Sequence, residues 1–299
     1  MINSKQQTAI IIDTDIGDDA DDVLAIALAL KIESIDILGI TTVFKNTFAR
    51  AQIAKYFLKL TGNSHIPVHA GIGNPLVNNV QLDEIPCQFA KEYMTDEPDS
   101  VDALAFYESV LMKQKVNIVC IGPLTNIAKL INEKPHLLDN IDELIIMGGC
   151  FYRHANEWNI VCDPEAAKIV FDSGLNIKAV GLDVTTQCHL SVDYLDQIDI
   201  SYQENKFLME MCTQWFDKTG YRPILHDPLT IYALHPENEL SFTDETVHIE
   251  CSGEFTRGMT VCEEHGIWGR TAPKPNVKVA SNINGKAFVD YYFNTVFIR

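Results

Sequence analysis

Ala9-Ile10-Ile11-Ile12 runs directly into Asp13-Thr14-Asp15-Ile16-Gly17-Asp18-Asp19-Ala20-Asp21-Asp22, and Val23 to Lys31 continues as an Ala/Leu-rich helical pattern. An apolar run of this length, rich in β-branched residues, reads as a strand buried on both faces, and the helix after it completes a β-α unit. The unit recurs along the chain. Ile35 to Val43 precedes a helical pattern over Thr47 to Leu60, Val116 to Ile121 precedes Thr125 to Asn132, Glu143 to Met147 precedes Pro164 to Asp172, and Ile177 to Val184 reads as a further strand. Apolar strands alternating with amphipathic helices predict an α/β fold with a mostly parallel central sheet covered by helices, built as a single domain over residues 1–299. Asn63 to Ser100 is poor in periodic pattern and is expected to carry long loops. In such sheets ligands bind at the carboxyl ends of the strands, so the residues just after each apolar run carry the functional reading.

Six carboxylates lie in the ten residues from Asp13 to Asp22. Acids at a helix N-terminus interact favourably with its free amides and dipole, which accounts for one or two of Asp18 to Asp22. Carboxylates crowded at the end of a buried strand repel one another, and they stay ionised only with a bound cation, or else some take a raised pKa. A hard divalent ion with oxygen ligands fits. An EF-hand loop beginning at Asp13 would need glycine where Asp18 stands and glutamate where Leu24 stands, so the motif is not one. A DxD at the end of a first strand also opens some phosphatases of the haloacid dehalogenase type, which makes a metal-dependent phosphohydrolase the rival enzyme reading.

The formal net charge is −18, with 41 acidic against 23 basic residues, so a phosphate backbone or an anionic membrane would be repelled. No apolar run approaches the roughly 18 to 20 residues of a membrane span; the best, Val23 to Leu30, is bounded by Asp21, Asp22 and Lys31. The polar start, Met1 to Thr8, lacks the pattern of a secretory signal, and a cytoplasmic address is expected. The eight cysteines are scattered without a CxxC pair, and neither disulfides nor a zinc site is expected.

The later strand ends extend the pattern. Asp13-Thr14-Asp15 with Gly17 and the Asp21-Asp22 pair is followed by Gly39-Ile40-Thr41-Thr42-Val43 with Asn46, then by Gly122-Pro123-Leu124-Thr125-Asn126-Ile127-Ala128 and Met147-Gly148-Gly149. Asn156-Glu157-Trp158-Asn159 with Asp163-Pro164-Glu165-Ala166-Ala167, and finally His226-Asp227-Pro228, complete the series. In this order the motifs resemble those of the inosine-uridine preferring nucleoside hydrolases across nearly the whole chain. The resemblance implies calcium-dependent hydrolysis of the N-glycosidic bond of ribonucleosides to free base and ribose. It also implies a small-molecule nucleoside as partner and a homo-oligomer, dimer or tetramer.

Carried over residue by residue, the resemblance implies that Ca2+ is held by Asp15, Asp22, Asp227 and the backbone carbonyl of Ile121, all oxygen donors as calcium requires. Calcium would acidify and orient a bound water, and Asp15 would remove its proton. Asp21 would meet the ribose 2′-hydroxyl, Asn46 and Asp227 the 3′-hydroxyl region, and Glu157 and Asn159 the 5′-hydroxyl end. Trp158 would pack beside ribose or base. His226 is the implied proton donor to the departing base, against a packing role. Cleavage develops positive charge on the sugar, which surrounding carboxylates stabilise. A ribosyl-binding protein without turnover is the remaining alternative, discriminated by loss of Asp15, which is present.

The sequence departs from the family's DxDPGxDD form. Ile16 replaces proline, and two extra residues precede the aspartate pair. Asp21-Asp22 is read as the functional pair, which keeps the spacing onward to Asn46 and makes Asp18-Asp19 an insertion; the alternative, Asp18-Asp19, shifts the helix out of register. The loop from Gly149 to Glu157 is short, Asn156 being the nearest substitute for its usual asparagine, and a histidine-glycine element expected between Pro75 and Ser100 is missing. Trp268 and Arg270 resemble the family's C-terminal segment, where they would close over the pocket.

Overall fold

In the computed structural model, which describes residues 7–235, 237–263 and 274–298, the first isoleucine run forms β1 (Thr8–Thr14), followed by α1 (Asp21–Lys31), β2 (Ile35–Thr42) and α2 (Thr47–Leu60). Next come β3 (Val68–Ala70), α3 (Ala103–Leu111), β4 (Val116–Cys120), α4 (Thr125–Glu133), β5 (Ile141–Met147), α5 (Trp158–Cys162) and α6 (Pro164–Phe171). Then follow β6 (Ile177–Val180), α7 (Leu182–Thr185), α8 (Val192–Leu195), α9 (Gln203–Thr219) and α10 (His226–Tyr232). The chain continues through β7 (Ser241–Glu245), β8 (Val247–Ile249), β9 (Thr260–Cys262), β10 (Val277–Asn282) and α11 (Gly285–Val296).

Eight strands form one sheet in the order β3-β2-β1-β4-β5-β6-β10-β7, and β8 and β9 form a separate antiparallel pair. Every pairing in the large sheet is parallel except β10 with β7. From β1 the chain builds outward through β2 to β3, then returns to add β4 on the other side. That reversal opens a crevice at the carboxyl ends of β1 and β4, where open α/β sheets bind their ligands.

Strand alternation divides the core between the two faces. Ile10 and Ile12 pack with Leu24, Phe57, Leu229 and Tyr292 on one side, while Ile11 packs with Ile118, Tyr107, Ile127 and Phe171 on the other. Both faces are covered, which explains why these strands are apolar throughout. Helix α1 departs from the amphipathic expectation: all of Asp21 to Ala29 is buried. It packs against α10 and α11 as well as against the sheet, and the Tyr292 hydroxyl donates to the Leu24 carbonyl at 3.1 Å. A helix enclosed on every side has no polar stripe to show.

Two further differences have local causes. The apolar run read as a strand over Ile177 to Val184 leaves the sheet at Val180, because Leu182 N–H donates to the Gly149 carbonyl at 2.9 Å and the chain turns into α7. A Cβ at Gly181 would lie 2.6 Å from that same carbonyl oxygen, so glycine permits the approach. The long segment from Asn63 to Ser100 contributes only β3 and a 3-10 turn at Lys91–Thr95, as its weak periodicity predicts. No helix among the described residues is long and apolar enough to cross a membrane. Trp268 and Arg270 lie outside the described residues.

Candidate active site

The carboxyl end of β1 places Asp13 and Asp15 on opposite errands. Asp13 is fully buried, and its Oδ1 accepts from Thr41 Oγ1 at 2.5 Å and Asn126 Nδ2 at 2.7 Å, tying β1 to β2 and α4. Its Oδ2 has no protein partner, and burial pushes the group up to about 7 against the pull of those hydrogen bonds. Asp15 lies against the loop after β4. A Cβ added to Gly122 would sit 2.8 Å from the Asp15 backbone nitrogen and 2.9 Å from Asp15 Oδ1, so only glycine admits the carboxylate this close. Burial raises Asp15 to about 6, opposed by the positive charge of Arg50.

Helix α1 begins at Asp21, which puts Asp21 and Asp22 in its first turn and leaves Asp18 and Asp19 in the turn ahead. Asp18 pairs with Arg50 Nη2 at 2.8 Å, and Asp19 Oδ1 accepts from the Ala20 N–H at 2.5 Å. Of the two registers, the preferred pair heads the helix, while Asp18 and Asp19 make local contacts in the turn ahead of it. Asp227, in the first turn of α10, arrives from the far end of the chain, and its backbone N–H donates to Asp21 Oδ2 at 3.4 Å. Carboxylate oxygens of Asp21, Asp22 and Asp227 lie within 4.8 Å of one another, all three residues buried. Asp22 also accepts a short hydrogen bond from Thr14 Oγ1.

Among the described residues no cationic side chain hydrogen-bonds to any of the three. Burial, with repulsion from neighbouring aspartates that include Asp15 and Asp19, pushes all three well above the ordinary carboxylate range. Buried, close-set carboxylates that no cationic side chain hydrogen-bonds among the described residues form a hard oxygen donor set of the kind a divalent cation satisfies, so the residues present fit a metal ion. Asp15 is not one of this trio, although its charge is felt at both Asp22 and Asp227.

Ile121 follows β4; its N–H donates to the Asp13 carbonyl at 2.8 Å, and its own carbonyl accepts from Asn159 Nδ2 at 3.3 Å. Asn159 is buried and also donates to the Met147 carbonyl at 3.2 Å, bridging the ends of β4 and β5. Glu157 caps α5. Its carboxylate accepts from the N–H groups of Asn159 at 2.9 Å, Ile160 at 3.0 Å and Gly149 at 3.1 Å, while burial raises it to about 7 and Asp15 adds to the rise. Trp158 between them is 63% exposed at the start of α5. Asn46 caps α2 through Oδ1, which accepts from Ala49 N–H at 3.0 Å and leaves the side-chain NH2 to donate elsewhere.

His226 opens α10, and its Nδ1 sits 2.7 Å from Thr185 Oγ1. Burial, with His189 nearby, lowers it to about 4, so the imidazole is neutral at pH 7. His69 stacks on Phe106 at 4.1 Å between ring centroids and bonds Ser100 Oγ at 2.8 Å, a packing role.

Arg50 was not anticipated from the sequence. Its signal is a lone guanidinium among Ala49, Ala51, Ile53 and Ala54, on the buried part of a helix. Thr14 and Thr185 were also missed, since a threonine that orients a neighbour has no distinguishing spacing.

The sequence matches the model of the family described as inosine-uridine preferring nucleoside hydrolase over residues 10–290. A probable uridine nucleosidase of Arabidopsis thaliana is 31% identical, the match covering 94% of each chain. A pyrimidine-specific ribonucleoside hydrolase of Escherichia coli is also 31% identical, over 94% of this chain and 96% of that one. Among solved structures, a purine-preferring ribonucleoside hydrolase from Gardnerella vaginalis superimposes with a TM-score of 0.81 at 26% identity, covering 97% of this chain and 98% of that one. A plant nucleoside hydrolase shares the fold, with a TM-score of 0.84 at 24% identity over 98% of this chain and 99% of that one. With a family model matched over most of its length, and a buried carboxylate trio at the reversal point of its sheet, the chain belongs to the inosine-uridine preferring nucleoside hydrolases, a family of N-glycosidases.

Proposed function

We propose that this protein hydrolyses the N-glycosidic bond of ribonucleosides to free base and ribose, that it does so with calcium, and that pyrimidine ribonucleosides are its preferred class. The observation that carries the reading is the buried trio Asp21, Asp22 and Asp227 beside Asp15 at the carboxyl ends of β1 and β4. The pyrimidine preference rests on the names of the two relatives at 31% identity.

Asp22 and Asp227 of the trio would hold the ion, joined by Asp15 and the Ile121 carbonyl as the family resemblance implies. When bound, a divalent cation lowers the pKa of a water molecule and orients it for attack. Asp15, a buried carboxylate beside the trio, would accept the water's proton, the role the family resemblance gives it. Asp21 receives the 2′-hydroxyl, the free amide of Asn46 and Asp227 the 3′-hydroxyl region, and Asn159 with Glu157 the 5′ end. The acids around C1′ stabilise the positive charge that develops on the sugar as the bond to the base breaks. Trp158 offers an exposed ring against which ribose or base packs. His226 is neutral, so it serves the departing base as a hydrogen-bond donor through Nε2 when Thr185 donates to Nδ1, and not as a charged acid.

The test is release of reducing ribose from uridine, cytidine, inosine and adenosine by chelator-stripped protein before and after calcium, with Asp15→Asn alongside. Calcium-dependent release that vanishes in Asp15→Asn supports the proposal. Bound calcium without release from any nucleoside, or turnover only of phosphate esters with magnesium, replaces it.

A further inference from the structure

Arg50 is buried within α2, 1% exposed, and four acceptors surround its guanidinium. Nη1 donates to the carbonyls of Asp15 and of Ile16, the latter at 2.9 Å; Nη2 donates to Asp18 Oδ2 at 2.8 Å; and Nε donates to the Phe44 carbonyl at 2.8 Å. Two different loops meet on one side chain. The first is the turn that carries Asp15 from the end of β1 to α1. The second is the Phe44-Lys45 turn that presents Asn46, and it is strained: Phe44 has φ +67 and Lys45 φ +56, left-handed values that side-chain-bearing residues rarely adopt. Phe44 N–H to the Ile72 carbonyl at 3.0 Å and Lys45 N–H to the Gly73 carbonyl at 2.8 Å pin this turn from outside, and Arg50 pins it from within.

A buried guanidinium is strongly unfavourable unless its donors are paired, and here four of its five N–H groups find acceptors, which a planar fork reaches only if they stand in fixed relative positions. We propose that Arg50 is a positioning residue of the ribosyl site: its guanidinium sets the distance between the Asp15 loop and Asn46, so that the attacking side and the 3′-hydroxyl contact are held in one geometry. Asp18, in the two-residue excess of the first motif, supplies the carboxylate that completes the fork, and Lys218 stands 3.7 Å behind it. The inference rests on the roles proposed above for Asp15 and Asn46.

The experiment compares wild type, Arg50→Met, Arg50→Lys, Asp18→Ala, Asn46→Ala and the Arg50→Met/Asn46→Ala double variant. Each is assayed for kcat and KM on the ribonucleoside that wild type cleaves best and on its 3′-deoxy analogue, with circular dichroism and thermal melting to verify folding. Displacement of the two loops is expected to lower kcat about 100-fold in Arg50→Met. The preference for ribonucleoside over the 3′-deoxy analogue is expected to shrink by about tenfold or more, with Arg50→Lys recovering little because an ammonium cannot span the four acceptors. The double variant should keep the preference of Asn46→Ala alone, because both changes remove the same contact. A purely structural arginine would lower stability and leave the 3′-hydroxyl preference untouched. If Arg50→Met does not fold, Asp18→Ala decides, since Asp18 is partly exposed and removing its carboxylate frees one arm of the fork; an unchanged preference there overturns the inference. Active, folded Arg50→Met with wild-type preference overturns it alone, whereas a wild type that cleaves no nucleoside overturns the hydrolase reading and this inference together.

Discussion

The side-chain amide of Asn159 donates to the backbone carbonyl of Ile121, 3.3 Å away, from a nitrogen that also reaches the Met147 carbonyl at 3.2 Å. A backbone oxygen cannot be mutated, but the group that orients it can. If the Ile121 carbonyl is a ligand of the ion, Asn159→Ala lets it turn, and calcium affinity should fall about 10- to 100-fold, the usual effect of removing a partner that orients a ligand. Calorimetric titration of calcium into the stripped variant checks this; wild-type affinity would remove Ile121 from the ligand set.

Asp15→Asn keeps the shape of the side chain and removes its ability to take a proton. A fall in kcat of about 100- to 10,000-fold is expected with the fold retained, the range for loss of a general base. Near-wild-type turnover in a protein verified by mass would assign the base elsewhere.

The metal-free protein should lose stability as pH rises. Unfolded, these carboxyls titrate near their model values of 3.8 and 4.5; folded, Asp13 and Glu157 are raised to about 7 and Asp15 and Asp19 to about 6. Below the unfolded values both states are protonated and the acids cost the fold nothing. Between about 4 and 7 the folded state binds more protons, so stability declines through that window. Melting temperatures with chelator at pH 5 and pH 8 should therefore differ in favour of pH 5. Calcium should narrow the gap, because it stabilises the ionised carboxylates. A chelated protein that melts higher at pH 8 would contradict the assignment.

His226→Ala should slow nucleosides more than it slows a riboside with a good leaving group, such as a nitrophenyl riboside, which departs without help. Thr185→Val should show the same selectivity in weaker form, since it loosens the imidazole without deleting it. Equal losses on both substrates would make His226 a packing residue.

Gly122→Ala drives a methyl group to 2.8 Å from the Asp15 backbone nitrogen. Overpacking of this kind costs about 1–3 kcal/mol of stability, and here it also displaces the proposed base. Lower melting temperature together with lower kcat is the expected pair; an unaffected kcat would show that Asp15 tolerates displacement.

The sheet was legible because burial on both faces writes itself into unbroken apolar runs, as at Ile10 to Ile12 and Leu144 to Ile146. Strand β7, Ser-Phe-Thr-Asp-Glu, was not, because it lies at the sheet's edge, largely in solvent, and carries no apolar alternation. Asp21 and Asp22 were legible as an acidic cluster, and the spacing onward to Asn46 favoured them over Asp18 and Asp19; that α1 starts at Asp21 is what the structure adds. Asp227 stands 206 residues from Asp21, so only the family resemblance linked them before the fold did. Arg50 went unread because a single arginine in a helix is ordinarily a surface residue, and its acceptors are mostly backbone carbonyls that leave no trace in the sequence.

The two margins of the large sheet are both unsuited to growth. One ends in β3, only three residues long and already bridged at His69 by Ser100; the other ends in β7, short and bearing Asp244 and Glu245. Short or charged outer strands offer no template for another chain's backbone. The same margins guard the strand-rich, heavily apolar interior of the eight-stranded sheet against fibrous stacking.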